Sequence, residues 1–218
     1  MSDKKHSILL VDDHPLVREW LASLINQQPD LAVCGEAESA QEALDFIATR
    51  GPDLAIVDLS LKESSGLELI KTIKTTHPSV AVIVLSMHDE RHYAERAIRA
   101  GARGYVMKRE TTKKIISAIH QVLAGKLGVS EEVAALFAER FVDNKSRTWT
   151  PVEELSDREL EVFRLLGQGL DTRAVANRLQ ISIKTVQAYC ARIKDKLSLA
   201  NATELLREAI RWTESNAA

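Results

Sequence analysis

The stretch DLAIVD at residues 53–58 decides the fold, because its four apolar residues end in a carboxylate. A run without polar alternation suits a strand buried on both faces of a parallel sheet, although a short apolar run alone does not exclude a buried helix. Residues 8–11 and 80–85 form similar runs, which also end in polar groups. Ligand sites of open α/β sheets lie outside the carboxyl ends of the strands. We therefore expect one site that collects the polar residues at these three ends: Asp12, Asp13, Asp58 and Ser86.

The first half of the chain alternates apolar runs with helical patterns. Further strands are predicted at residues 31–35 and 104–107, and each strand is followed by apolar residues at helical spacing. Ser39 and Glu42 form an S-x-x-E pattern, which predicts a capping box at the start of the second helix. Such alternation predicts an α/β doubly wound, five-stranded parallel sheet of flavodoxin-like order.

The pattern changes after Gly125, and the rest of the chain reads as helical. We predict a first domain over residues 1–125, a linker with one helix over 126–154, and a smaller all-α domain over 155–218. Ser156 and Glu159 predict another capping box. The second domain should have four helices, with a helix-turn-helix formed by residues 172–179 and 182–197.

The composition bounds the class of protein. The 218 residues are 45% hydrophobic and 28% charged, with a formal net charge of −2. No apolar run approaches the ~18 to 20 residues that span a bilayer, and the first residues do not resemble a signal peptide, so we expect a cytoplasmic protein. Cys34 and Cys190 lack metal-ligand spacing, as is typical of a reducing compartment. From residue 150 onward there are ten basic and ten acidic side chains, so any nucleic-acid-binding patch must be local.

Three carboxylates at strand ends repel one another unless a cation neutralises them. Oxygen ligands in this number favour Mg²⁺, which leaves coordination positions for phosphate oxygens. Lys108 follows the fifth strand and supplies a fixed positive charge, while Ser86 can donate a hydrogen bond. The set fits an aspartate that is itself phosphorylated. The alternative is that the acidic groups are merely solvated at loop starts, and their joint placement at strand ends argues against it.

Residues 8–125 resemble a response-regulator receiver domain, and the string DDHPLVR at residues 12–18 is similar to the NarL/FixJ class. The resemblance implies that Asp58 is the phospho-acceptor and that Lys108, Ser86 and Tyr105 assist it, the last two as switch residues. It also implies a Mg²⁺ site formed by Asp13, Asp58 and the backbone carbonyl of Ser60, with Asp12 acting mainly through water. Arg109 departs from the proline that many receivers have there.

The predicted helix at 182–197 has an apolar face and an outer face suited to a DNA major groove. Small residues permit close approach, Gln187 can pair with a base edge, and basic side chains can reach phosphates. An ordinary packed helix with a solvated basic face is the alternative. Residues 155–212 resemble the LuxR-type helix-turn-helix, in which residues 184–197 would be the recognition helix and the last helix pairs two subunits. The expected DNA contacts are Lys184, Thr185, Gln187, Ala188, Ala191, Arg192, Lys194 and Lys196.

Together these features predict a phosphorylation-controlled transcription regulator. A sensor histidine kinase would phosphorylate Asp58, and the change would alter homodimerisation and binding to double-stranded DNA. The chain would not be an enzyme apart from Mg²⁺-dependent phosphoryl transfer to itself. A phosphohydrolase or nucleotide-binding enzyme is a rival, but no G-x-G-x-x-G or Walker loop follows any strand. A second rival is a module that binds protein or RNA, which a gel shift with genomic DNA would distinguish.

Overall fold

The computed structural model describes residues 5–61, 65–87, 89–142, 151–179 and 181–215. The chain divides into two compact units, Met1–Asn144 and Lys145–Ala218. Each unit is described below by itself.

The first unit is built on the predicted parallel sheet. Its strands are β1 (His6–Val11), β2 (Leu31–Ala37), β3 (Leu54–Val57), β4 (Ala81–Ser86) and β5 (Gly104–Met107). All neighbouring pairs are parallel, in the order β2-β1-β3-β4-β5. Its helices are α1 (Pro15–Asn26), α2 (Ala40–Arg50), α3 (Gly66–Thr76), α4 (Glu90–Ala100), α5 (Thr112–Leu123) and α6 (Glu131–Val142). The predicted fold class is confirmed.

Strand β3 lies in the middle of the sheet and is buried on both faces. Its four residues Leu54–Val57 are at most 3% exposed. Ile56 belongs to a core cluster with Ile25 of helix α1 and Ile119 of helix α5. Burial on both faces explains why the sequence of this strand contains no polar alternation.

The two predicted capping boxes have different outcomes. Ser156 Oγ accepts a hydrogen bond from the Glu159 N–H, and the Glu159 carboxylate accepts one from the Ser156 N–H, as predicted. Ser39 Oγ likewise accepts from the Glu42 N–H. The Glu42 carboxylate, however, accepts from the N–H of Glu38, so the second bond lies one residue earlier than in a capping box.

The predicted linker begins in contact with the sheet. Gly128 forms a parallel bridge with Gly104, and helix α6 belongs to the first unit in the division at Asn144. Val133 of helix α6 is 1% exposed. The polar part of the predicted linker at 143–150 lies outside the described residues. The domain limits at 125 and 154 stay a prediction.

The second unit is helical. It contains a short 3₁₀ helix (Pro151–Glu154) and the helices α7 (Asp157–Gly167), α8 (Thr172–Leu179), α9 (Ile183–Lys196) and α10 (Ala202–Ser215). Helix α7 packs against both α9 and α10, and the rings of Phe163 and Trp212 are 6.0 Å apart. Among the residues that the structure describes, no helix has the length and apolar character needed to cross a bilayer.

Candidate functional site

The carboxyl ends of four strands meet at one edge of the sheet. Backbone hydrogen bonds hold the residues that follow them: the Asp58 N–H donates to the Val11 carbonyl (2.9 Å) and the Lys108 N–H donates to the Ser86 carbonyl (2.8 Å). The polar side chains delivered there are Asp12 and Asp13 after β1, Asp58 after β3, Ser86 at the end of β4 and Lys108 after β5.

The ammonium group of Lys108 lies between two buried carboxylates. Its Nζ is 2.8 Å from Asp58 Oδ2 and 2.6 Å from Asp12 Oδ2, and the Lys108 side chain is only 10% exposed. Burial alone would lower the pKa of Lys108, but the negative charges of Asp58 and Asp12 outweigh it and raise this pKa. Lys108 therefore stays charged and neutralises part of the acidic pocket.

The carboxyl of Asp58 responds differently to the same ion pair. Burial raises the pKa of Asp58, although the charge of Lys108 and a hydrogen bond from the Ser60 backbone oppose the shift. One ammonium group therefore does not fully offset the desolvation of Asp58. An additional cation would favour the ionised carboxylate.

Two buried carboxylate oxygens in the pocket accept no hydrogen bond from the described residues, namely Asp13 Oδ1 and Asp58 Oδ1. His14 Nδ1 lies 2.7 Å from Asp13 Oδ1, within ion-pair distance. Possible ligand atoms of Asp12, Asp13, His14 and Asp58 lie within 4.8 Å of one another. Buried oxygens without donors are costly, and a divalent cation that prefers oxygen ligands fits this set.

Two residues of the site were not predicted as such. The His14 N–H donates to Asp12 Oδ1 (2.9 Å), and its imidazole lies at the mouth of the pocket. Arg18 Nη1 donates to the Asp12 backbone carbonyl (2.6 Å), while its Nε donates to Glu36 (3.0 Å). Both residues belong to the DDHPLVR string, so the signal was present in the sequence. It identified a class of protein without indicating these two contacts.

The loop after Asp58 passes very close to helix α3. A Cβ atom placed on Gly66 would lie 2.3 Å from the Asp58 carbonyl oxygen and 2.6 Å from Leu59 Cα. Only a residue without a side chain lets helix α3 begin there. The Ser60 backbone hydrogen bond to the Asp58 carboxylate lies in this loop, and the use of the Ser60 carbonyl as a metal ligand stays a prediction.

Ser86 and Tyr105 lie next to the acidic pocket. A side-chain hydrogen bond joins them, and burial raises the pKa of Tyr105. Ser86 is 0% and Tyr105 1% exposed. The Tyr105 ring therefore lies inside the domain, next to the Ser86 hydroxyl.

Helix α9 presents the predicted outer face to solvent. Its exposed residues include Lys184, Gln187, Ala188, Ala191 and Arg192, whereas Val186 and Ile193 are buried on the opposite side. The Arg192 guanidinium lies 5.8 Å from the centre of the Tyr189 ring. Some of the predicted DNA contacts near the two ends of helix α9 are less exposed or are paired with other residues, unlike those in the middle of the outer face.

Thr185 and Lys194 are half-buried, whereas Lys196 is exposed and forms an ion pair within the second unit. The Thr185 N–H donates to Ser182 Oγ, which caps the helix. Lys196 Nζ lies 2.7 Å from Glu159 Oε2. Burial would raise the pKa of Glu159, but hydrogen bonds from Lys196 and Ser156 outweigh it and lower that pKa. The ammonium group of Lys196 is thus already paired with helix α7.

Helix α10 has one face in the core and one in solvent. Leu205 and Ala209 are buried in the second unit, whereas Leu206 and Ile210 are 41% and 37% exposed. Of these four apolar residues, Leu206 and Ile210 are the two whose side chains a second subunit could contact.

Comparison with known proteins identifies the family. Residues 8–120 match the family described as response regulator receiver domain, and residues 153–209 match the luxR family of bacterial regulatory proteins. The chain is a response regulator. Regulators of this two-domain type are transcription factors rather than classical enzymes.

Relatives place this response regulator in the NarL/FixJ class. It is 30% identical over 198 residues to the nitrate/nitrite response regulator NarL of Escherichia coli K12, covering 91% of this chain and 92% of NarL. It is 32% identical over 209 residues to the oxygen regulatory protein NreC of Staphylococcus carnosus, covering 94% and 96%. A solved structure of RcsB from Salmonella enterica serovar Typhimurium, bound to the rprA promoter with the phosphomimetic BeF₃⁻, has 26% identity, a TM-score of 0.60, and coverage of 94% and 98%.

The structure of this response regulator brings the predicted receiver residues together. Asp12, Asp13, Asp58 and Lys108 share one pocket, and Ser86 and Tyr105 form its neighbouring pair. The roles of these residues in phosphoryl transfer, and those of helix α9 in DNA contact, stay predictions.

Proposed function

We propose that this chain is a phosphorylation-controlled transcription regulator whose Asp58 accepts a phosphoryl group from a sensor histidine kinase. The observation that supports it best is the environment of the Asp58 carboxylate. Its Oδ2 is held by Lys108, while its buried Oδ1 accepts no hydrogen bond from the residues that the structure describes. A carboxylate with one oxygen open and the other beside a fixed ammonium group suits attack on a phosphorus atom, because the ammonium stabilises the charge that moves.

The proposed transfer forms a bond between an Asp58 oxygen and phosphorus as the phosphorus–nitrogen bond of phosphohistidine breaks. The bonding electron pair returns to the imidazole nitrogen of the kinase. Asp58 must be ionised to attack, and Lys108 favours that form. Mg²⁺ would be held by Asp13, Asp58 and the Ser60 carbonyl, with Asp12 acting through water, and when bound it supplies positive charge beside the phosphoryl oxygens.

The signal leaves the site through Ser86 and Tyr105 in this proposal. Phosphorylation adds negative charge and three acceptor oxygens. Ser86 can donate its hydroxyl hydrogen to one of them, and it would then leave the bond that joins it to Tyr105. Because Tyr105 is buried, losing the hydrogen bond to Ser86 leaves its phenol without this partner. The loss changes the relative free energies of the inward position of the Tyr105 side chain and of its other rotamers.

The second unit would act on double-stranded DNA through helix α9. The exposed Lys184, Gln187 and Arg192 face the same side of the helix, next to the small residues Ala188 and Ala191. Thr185 and Lys194 lie at the border of this face, whereas we assign Lys196 to positioning, because its ammonium group is paired with Glu159. A bacterial regulator of this kind acts on chromosomal DNA, so we expect it to work in the cytoplasm.

A homodimer would compensate for the small number of basic groups on this face. Affinity for DNA rests largely on phosphate contacts, and one copy offers few. The exposed Leu206 and Ile210 of helix α10 would pair two subunits, so the binding site should be an inverted repeat. Phosphorylation should increase affinity as dimers accumulate.

Phosphoryl transfer is tested with acetyl phosphate and Mg²⁺. Intact mass spectrometry should detect one added phosphoryl group, and borohydride trapping should locate it at Asp58. The Asp58→Ala variant should take up none, whereas Asp53→Asn, at the opposite end of the same strand, should behave like wild type. Label retained in Asp58→Ala would contradict the proposed acceptor.

DNA binding is tested by gel shift with genomic fragments at fixed salt. We expect specific fragments to shift at lower protein concentration after phosphorylation and to contain an inverted repeat. Equal binding to all fragments and to RNA of the same length would favour the rival module that binds nucleic acid without reading its sequence.

A further inference from the structure

The segment after helix α5 adds to the edge of the sheet. The Gly128 N–H donates to the Arg103 carbonyl (2.9 Å), and the Tyr105 N–H donates to the Gly128 carbonyl (2.9 Å). These bonds form the parallel bridge between Gly104 and Gly128. We call residues 127–133 the clasp, because they connect strand β5 to the start of helix α6.

The clasp fits closely against strand β5 and helix α5. A Cβ atom on Gly128 would lie 2.9 Å from the Ala118 carbonyl oxygen and 3.0 Å from Val122 Cγ2. A Cβ atom on Gly104 would lie 2.9 Å from the Gly128 carbonyl oxygen. Such contacts are closer than side chains tolerate against backbone atoms, so the position of the clasp depends on the two glycines.

A partly buried hydrogen bond holds the other end of the clasp. Ser130 Oγ donates to Glu90 Oε1 (2.8 Å) and accepts from the Val133 N–H (3.2 Å). Glu90 is 7% exposed and lies in the first turn of helix α4. Ser130 therefore joins the start of helix α6 to the start of helix α4.

One end of the clasp contacts strand β5, which carries Tyr105, and the other contacts helix α4, which begins four residues after Ser86. Tyr105 bonds to Ser86 through its side chain and to Gly128 through its backbone N–H. Glu90 lies four residues after Ser86, in the first turn of helix α4. A movement of Ser86 toward a phosphoryl group therefore acts on the clasp at two points.

We propose that the clasp is a switch element that releases helix α6 from the receiver domain when Asp58 is phosphorylated. This inference rests on the proposed function, since it assumes that Ser86 turns toward the phosphorylated Asp58. Order-to-disorder changes of a short segment are a common form of switching. Ser86 would provide the two states, because its hydroxyl can bond either to Tyr105 or to the phosphoryl group. Helix α6 is the last described element before residue 143, so its release would change the segment that leads to the second unit.

Hydrogen exchange of the full-length protein, read by mass spectrometry, tests the clasp. Exchange of peptides that cover residues 126–136 is compared with and without acetyl phosphate and Mg²⁺, and intact mass reports phosphorylation of the same samples. We expect exchange of these peptides to become about tenfold faster on phosphorylation, equivalent to about 1.4 kcal/mol. Peptides of strand β1 serve as an internal reference.

Substitutions separate the clasp from the site. Ser130→Ala removes the bond to Glu90 and should make the clasp peptides exchange about tenfold faster before phosphorylation, with little further change after it. Gly128→Ala, which also strains the bridge, should do so more strongly. Ser117→Ala, an exposed position on helix α5, is the matched control and should behave like wild type.

The outcomes are distinguishable. If wild-type protein gains the phosphoryl group but its clasp peptides exchange at an unchanged rate, the clasp inference is wrong while the proposed function stands. If no phosphoryl group is gained, the proposed function itself fails. If the Ser130→Ala variant no longer gained a phosphoryl group, the inference would also be wrong. Ser130 would then be needed to keep the phosphorylation site intact, rather than to respond to phosphorylation.

Discussion

Replacement of Lys108 by methionine should destabilise the receiver domain and make its stability depend on Mg²⁺. Methionine keeps most of the volume of the side chain and removes the ammonium group that lies 2.6 Å from Asp12 and 2.8 Å from Asp58. The two buried carboxylates then face each other without a counter-charge inside the protein.

The structure gives the size of this effect. Ligand atoms of Asp12 and Asp58 lie within 4.8 Å, and at an effective dielectric constant of about 20 two such charges repel by about 3.5 kcal/mol. The variant could avoid this repulsion by protonating one of the two carboxylates. For a carboxyl with an ordinary pKa, protonation at pH 7 would cost about 4 kcal/mol. Two effects make the destabilisation smaller: water can enter the pocket, and the variant no longer has to bury the charge of Lys108. We therefore expect the free energy of unfolding to fall by about 2–3 kcal/mol.

Exchange of the most protected amides of strands β1 and β3 measures this loss, because they report the unfolding of the receiver domain alone. In EDTA the Lys108→Met variant should lose about 2–3 kcal/mol against wild type, and saturating Mg²⁺ should restore most of it. Lys114→Met removes an exposed lysine that pairs with Glu110, and its effect should be far smaller than that of Lys108→Met. A loss below about 1 kcal/mol in EDTA, or no response to Mg²⁺, would refute the reasoning.

Four further substitutions have expected outcomes. Gly66→Ala should cost the receiver domain about 1–3 kcal/mol, measured by the same exchange, because the new methyl group meets the Asp58 backbone. The hydrogen bonds that lower the pKa of Glu159 stabilise the second unit. Their full contribution is present above the ordinary pKa of a glutamate, and it is lost as the pH falls through the lower pKa of Glu159 in the folded protein. Thermal unfolding of Glu159→Gln should therefore show a flatter acid limb, and an unchanged limb would contradict this. Gln187→Ala should reduce base discrimination by about 1–3 kcal/mol at one position per half-site, whereas Lys184→Ala should weaken binding to cognate and scrambled DNA alike, both measured by titration at fixed salt.

The fold could be predicted because its signals are local and periodic. Strand β3 carries no polar residue since both of its faces are buried, and the helical spacing from residue 155 onward predicts the helices of the second unit. The pocket could be predicted as well, because parallel strands bring their carboxyl ends to one edge. These arguments need only the order of residues along each strand.

Contacts between distant side chains were not predictable in the same way. The pairing of Lys196 with Glu159 and that of Ser130 with Glu90 join residues about 40 positions apart. Neither pair lies on a common helix face or in a recognised motif, so the sequence contains no spacing that reveals them. The prediction that Lys196 contacts DNA therefore took no account of its bond to Glu159.

The bond between Lys196 and Glu159 has a consequence for the thermodynamics of recognition. A helix that is attached to its neighbour at its last turn has little freedom of orientation left to lose, so docking against a rigid groove costs less conformational entropy. Cutting that attachment would leave the residues on the outer face of helix α9 unchanged. It would nevertheless make the entropy of DNA binding less favourable. Calorimetry would measure this change although no atom that contacts the DNA had been altered.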